Sequence, residues 1–429
     1  MSADATDDCS LGTREQTRNL IIFAVNKSLI YLASPVVYVG IVQGALFKEL
    51  RTTSTIANLP SSVYFWMTPL PILVAWYFCA VRLLRPVLIA TYLTVAAGGA
   101  TVTATLLLSE DREVIIAAVV VHAGMLGCAL GVAATYEWEV LGKGVWRSRR
   151  GQALGLAFGV GPVMAFLAAL GSQAILDRIA YPWNFAALFA TTVPLMALAA
   201  FLATRFVVPQ PAVEVPREPL VAGVFGGFGD FFRDRLLFLA AIAMILVASG
   251  YNVLTNMSLF TKEALGEQPA RYVGYQNALR FGFKIVAGLL LGWLLARTHP
   301  KAGMLVTGGF CLASVAWVSL VPGRWFLLSF GLMGAGELFG VYYPNYILSC
   351  SPKEKMRRNM AFTSMLNMPA GFAPLLFGFI ADTVGAAADN KKFGFQVSFL
   401  VAAAFLIAAL LVVQLMLPAR PQPQEPDVS

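Results

Sequence analysis

Arg280 and Lys284 stand one helical turn apart in an otherwise apolar run, with Gln276 and Asn277 just before them. Asn277, Arg280 and Lys284 recur at +3 and +4, so a helix would place them along one edge. Two cations at that spacing repel each other and, in a low-dielectric setting, need a counter-charge. Glu337, within Gly334-Ala335-Gly336-Glu337-Leu338-Phe339-Gly340, is a carboxylate that could supply it; an anionic solute is the other source. Arg suits planar recognition of carboxylate or phosphate, and Lys is a point charge that can titrate. A carboxylate between apolar walls and cations is the natural proton-coupling candidate, and a fixed salt bridge is the plainer reading of the same residues.

Other polar groups sit in apolar runs. Lys27, Tyr31, Ser34 and Tyr38 share one helix face, so Lys27 and Tyr31 are candidate solute contacts; a lysine snorkelling to the interface is the plainer alternative. Asn252, Thr255 and Asn256 form a neutral polar patch at +3 and +4. Tyr343, with Tyr342, Asn345 and Tyr346, offers hydroxyls and an amide for a ligand or for an interfacial aromatic belt. His122, alone on an apolar helix, is either a packed side chain or a second proton carrier. Glu137 and Glu139 are expected to pair with the basic stretch 143–150.

Enzyme chemistry finds little support. There is no HExxH, G-x-S-x-G or P-loop, and the five cysteines include no C-x-x-C pair. The cysteines read as buried apolar thiols, and neither a metal nor a cofactor is expected.

The elements that hold these residues follow from composition. The 429 residues are 58% hydrophobic and only 13% charged, too little polar surface to wrap a soluble core. The expected solvent is the lipid bilayer, and the expected class is an all-α membrane protein. Apolar runs fall at about 19–42, 61–81, 86–108, 113–138, 151–176 and 183–206, then at 236–260, 272–296, 302–321, 325–349, 359–382 and 394–417. This gives a tail over 1–18, a six-helix bundle over 19–206, a Pro-bearing linker over 207–235, a second six-helix bundle over 236–417 and a disordered tail over 418–429. Lys and Arg are about twice as frequent on the side holding both tails and the linker, which puts that side in the cytoplasm. The net charge of +8 then reflects topology, not a nucleic-acid partner. Phe225, Phe228 and Phe232, with Arg233 and Arg235, suggest an interfacial helix before the seventh span. The pairs Gly127/Gly131, Gly155/Gly159, Gly288/Gly292 and Gly336/Gly340 would allow close helix approach. Pro162, Pro369 and Pro374 could kink helices that bend.

The halves echo each other. Leu46-Phe47-Lys48-Glu49 follows the first span and Phe260-Thr261-Lys262-Glu263 the seventh, at an offset of 214. Arg150-Gly151-Gln152-Ala153 and Arg358-Asn359-Met360-Ala361 open the fifth and eleventh spans. Gly292-Trp293-Leu294-Leu295-Ala296-Arg297-Thr298-His299-Pro300-Lys301 is similar to the signature Gly-x-x-x-Asp-Arg-x-Gly-Arg-Lys of the major facilitator superfamily, with Ala in place of Asp. The loop Val81-Arg82-Leu83-Leu84-Arg85-Pro86 lacks both the Gly and the Asp of that signature. With these motifs and its six-plus-six architecture, the chain resembles that superfamily over about 19–417. The resemblance implies two pseudo-symmetric bundles that expose a central solute site to each side in turn. It assigns Gly292, Arg297, Lys301 and Arg150 to gating. The expected function is secondary active transport of a small anionic or zwitterionic solute, with protons as a coupling partner through Glu337 and His122. Competing readings are anion exchange without protons, export of hydrophobic drugs or lipids, and a non-transporting receptor or assembly factor. A monomer in a plasma membrane, a bacterial inner membrane, is expected.

Overall fold

A computed structural model describes residues 11–209, 219, 227–351, 359, 362–363 and 365–421. Among them are ten helical stretches long and apolar enough to cross a membrane. These are segment 3 (Val81–Leu108), 4 (Arg112–Gly144), 5 (Arg149–Arg178), 6 (Trp183–Ala203), 7 (Arg235–Leu259), 8 (Val273–Leu295), 9 (Pro300–Leu320), 10 (Gly323–Cys350), 11 (Asn367–Ala387) and 12 (Lys391–Met416). Two broken segments precede them. Segment 1 consists of helices Thr13–Leu32, Ser34–Val37 and Ile41–Glu49; segment 2 consists of Ser54–Trp66 and Leu70–Tyr77.

The expected first loop therefore shrinks from 43–60 to 50–53, and Lys48 lies in the last helical turn of segment 1. The apolar run ends before the helix does. Gln43 explains part of this: it accepts from Gly40 N (2.9 Å) and donates to Val36 O (2.7 Å), bridging the break with its own amide. Gly40 has φ of 138°, a conformation that a side chain would strain, and it faces Thr255 and Ser61. Irregular backbone at membrane depth requires such internal partners.

With each segment crossing once, the chain ends and the turns after segments 2, 4 and 8 share one side, here the terminal side. The turns at 50–53, 109–111, 179–182 and 388–390 lie on the far side. Segments 2 and 11 pack together, as do 5 and 8, and these contacts join the first six segments to the last six. On the far side one apolar core crosses between them, joining Ile41, Leu46 and Phe47 to Leu254, Met257 and Leu259. A second core is confined to residues 20–206 and a third to 287–342.

Both glycines of one predicted pair and one glycine of another do the expected work. A Cβ at Gly127 or Gly131 would strike Tyr64 or Pro71 of segment 2, and one at Gly336 would strike Cys311. At Gly155, Gly159, Gly288, Gly292 and Gly340 a Cβ meets nothing, so close approach does not explain those residues. Pro162 lies inside the segment 5 helix, and Pro369 lies in a short helix that breaks at Gly371. Cys79 is exposed, contrary to the expectation of buried thiols, because it falls in the turn after segment 2; Cys311 and Cys350 are buried, and Cys9 lies outside the described residues. The helix Gly227–Arg233 does not lie on an interface by its phenylalanines. Phe231 is buried, and Phe228 and Phe231 pack edge-on against Phe362. Phe225, most of the linker, the basic stretch 352–358 and both chain ends lie outside the described residues.

Candidate functional site

Three helix breaks converge between the halves. Tyr38 and Val39 sit at the break in segment 1, Tyr251 and Asn252 at the break in segment 7, and Glu337 at the break in segment 10. The first two obey the offset of 214, so the internal repeat extends to the backbone discontinuity. Together they line a cavity of about 390 Å³, which Tyr64 and Asn367 complete from segments 2 and 11. The cavity reaches from Ser61 and Thr255 toward the terminal side at Met244, Pro344 and Thr363.

The charges at its wall are ordered. Arg280 donates through Nε to Glu337 Oε2 (3.0 Å) and through Nη2 to Oε1 (2.8 Å), a two-pronged pair. Lys284 Nζ donates to Oε2 at 2.6 Å, and Arg280 Nη2 also donates to the Tyr251 hydroxyl at 2.6 Å. The Arg280 and Lys284 side chains are only 3% and 9% exposed. Two cations thus share one carboxylate, and the cluster carries one unbalanced positive charge. Arg280 Nη1 is buried with no hydrogen-bond partner, an orphaned donor next to the cavity. Tyr38, from the other half, lies with its ring centroid 5.5 Å from the Arg280 guanidinium and 5.8 Å from Lys284 Nζ.

Close packing holds this geometry. A Cβ at Gly334 would collide with the Arg280 carbonyl, so the backbone of segment 10 rests directly on segment 8. Gly334→Ala is expected to cost about 1–3 kcal/mol by overpacking and to spread the two segments. Thermal unfolding of the purified variant reads the loss; an unchanged midpoint would refute the contact.

The remaining predicted residues divide. Asn252 is at the cavity, its Nδ2 donating to Ala370 O (3.0 Å). Asn256 is in the seam instead: it accepts from Asn58 Nδ2 (2.6 Å) and donates to Phe377 O and Ser398 Oγ. Gln276 is tied to Ser258 and Thr261 within the second half, and Asn277 to Val273 O of its own helix. Tyr343 is fully buried against Phe339, its hydroxyl without a partner, and Tyr342 and Tyr346 are buried too, so they form no aromatic belt. Tyr31 stacks on Tyr38 and meets Phe281 edge-on, behind the cavity wall. His122 is buried between Gly98 and Phe189, and neither of its ring nitrogens has a partner.

Lys27 departs most from expectation. It pairs with Glu137, whose other oxygen accepts from the Tyr92 hydroxyl, inside the first half. Glu137 does not reach the basic stretch, whereas Glu139 does, bonding Lys143 at 2.5 Å. Fully buried Glu137 is two helical turns inside the basic end of segment 4, and Lys27 reaches it from segment 1. Lys27→Met should destabilise the protein by about 3 kcal/mol, because it leaves a buried carboxylate with only one donor. Adding Glu137→Gln should restore most of that loss. Equal unfolding midpoints for the single and double variants would contradict the pairing.

The predicted gating residues bind within their own halves. Arg150 donates to Val145 O (3.0 Å) and Gly142 O, closing the end of segment 4. Lys301 holds Gln414 O (2.8 Å) and Leu417 O (2.9 Å) at the end of segment 12. Arg297 lies 4.4 Å from the Trp293 ring, and Gly292 is exposed. Tyr38, Tyr64 and Tyr251, which the sequence does not mark as site residues, line the cavity. Only Tyr38 carried a signal, its place on the stripe of Lys27 and Tyr31.

The family model of the Major Facilitator Superfamily matches residues 22–366, with a second match over 270–429. No curated protein sequence matches the chain significantly. Among solved structures it is similar to a D-xylose–proton symporter (TM-score 0.70, 15% identity, 94% of this chain and 99% of that one). It is also similar to a peptide transporter in complex with sulfate (TM-score 0.67, 14% identity, 96% and 98%). A third similar structure is a bacterial homolog of the human lysosomal transporter Spinster, inward-facing and unoccupied (TM-score 0.66, 13% identity, 96% and 100%). The family match covers most of the chain and agrees with the helical architecture, so this membrane protein belongs to the major facilitator superfamily of transporters.

Proposed function

We propose that the protein is a secondary active transporter for a small solute bearing one net negative charge or a zwitterionic head, working by alternating access of two six-helix halves. The observation that carries this reading is the unbalanced positive charge of the Arg280–Lys284–Glu337 cluster, with its orphaned Nη1 donor, in a cavity between the halves. A solute anion that reaches Nη1 satisfies a buried donor and neutralises the site. Glu337 is the carboxylate placed to exchange a proton as the solute competes for its cations. Neither ring nitrogen of buried His122 makes a hydrogen bond among the described residues, which weakens its part in coupling. Proton coupling has a precedent in the fold, since one similar structure is a proton symporter. The Lys and Arg distribution supports cytoplasmic termini.

The test is a thermal-shift screen of detergent-purified protein against anionic, zwitterionic and neutral metabolites, followed by flux of the hits into proteoliposomes. A ligand at 100 times its Kd stabilises the folded state by about 2.7 kcal/mol. Stabilisation by neutral compounds alone would overturn the reading. Exchange without protons is the second reading, favoured by the three charge-assisted bonds that hold Glu337 in place. A pH dye inside the liposomes separates the two, because only symport moves protons with the solute.

A further inference from the structure

Hydrogen bonds join the two halves on the far side and at the adjoining end of the cavity. Two of these contacts repeat one design. At the start of segment 2, Asp382 of segment 11 accepts from Ser54 N (2.9 Å), Thr55 N (2.7 Å) and Thr55 Oγ1 (2.7 Å). At the start of segment 8, Gln173 of segment 5 accepts from Gly274 N (2.8 Å). In the six-plus-six repeat, segment 2 corresponds to 8 and segment 11 to 5. Each half therefore lends a side chain that binds free amides at a helix start in the other half. Such amides have no partner within their own helix, and a carboxylate there also meets the positive end of the helix dipole.

Close backbone approach accompanies both contacts. A Cβ at Gly378 would strike Ser54 O and Thr55 Cα, and one at Gly274 would strike Gln173 and Ala169 O. Inward of the latches, Asn58 Nδ2 donates to Asn256 Oδ1 (2.6 Å), and the Ser61 and Thr255 hydroxyls lie 3.1 Å apart.

We propose that Asp382 and Gln173 form a two-part latch that closes the far side and selects the state open toward the chain termini. Opening the far side withdraws both acceptors and exposes the helix starts. Asp382, with three donors on one carboxylate, is the stronger part.

Spin labels on cysteines at Glu110 and Lys392, in a background without the native cysteines, report the far-side separation by pulsed electron resonance. A second pair at Cys79 and Arg297 reports the terminal side. Asp382→Asn should raise the far-side-open population about tenfold, as expected for losing a helix cap. Asp382→Ala with Gln173→Leu should raise it further, and the terminal-side distance should shorten in step. Unchanged distances at both pairs in a folded Asp382→Asn protein would overturn the latch. So would a lower unfolding temperature with no shift in either distance, which would mark Asp382 as packing only. Because these distances are read without solute, they test the latch independently of the anion site.

Discussion

Glu337→Ala should cost the protein about 5 kcal/mol of stability, the upper range for breaking a buried ion pair, because it strands two cations at once. Arg280 and Lys284 are buried, and Arg280 retains only the Tyr251 hydroxyl once the carboxylate is gone. Glu337→Gln keeps the shape and one acceptor but still removes the charge, so it should fall between wild type and Ala. The triple replacement Arg280→Met, Lys284→Met, Glu337→Leu should recover most of the loss, since an apolar substitute avoids desolvating all three charges. Thermal unfolding in one detergent ranks the four proteins. If Glu337→Ala unfolds within a degree or two of wild type, the cations are solvated and the low-dielectric picture of the site fails.

The same physics explains what the sequence made legible. A charge inside an apolar run must be paired, wetted or used, so Arg280, Lys284 and Glu337 stood out and could be joined without coordinates. Lys27 and Glu137 stood out equally, but the rule names no partner. Glu137 lies close in sequence to a basic stretch, and segment 1 comes beside it only in three dimensions. Neutral amides were harder still. Asn252, Asn256, Gln276 and Asn277 share the spacing of a cavity wall, yet three of them spend their hydrogen bonds on packing. Helical spacing fixes a face, and it does not say whether that face meets a neighbour or a void. The helix breaks were half legible. Gly40 signals freedom of the backbone, but the need for a break comes from Gln43 folding back on Val36, a contact within one segment that hydropathy does not register.

Arg280→Ala should raise the Kd of the transported anion about 100-fold, and Arg280→Lys should recover little of it. A hydrogen bond to a charged group contributes about 1.5–3 kcal/mol, or roughly 10- to 150-fold, and Arg280 also fixes Glu337 through its other edge. Lysine keeps the charge but not the fork: it cannot hold the carboxylate with Nε and Nη2 while presenting Nη1 to a solute. The two substitutions therefore separate charge from geometry. Recovery by Lys to within a few-fold of wild type would mean the site attracts anions by field alone, and the unpartnered Nη1 would then have no role in recognition. Lys284→Ala gives the complementary measurement. It leaves the Arg280–Glu337 fork intact and removes the unbalanced charge, so affinity for anions should fall about tenfold and affinity for zwitterions less, by the loss of one point charge. A loss for Lys284→Ala as large as that for Arg280→Ala would move the anion's contact from the guanidinium to the ammonium.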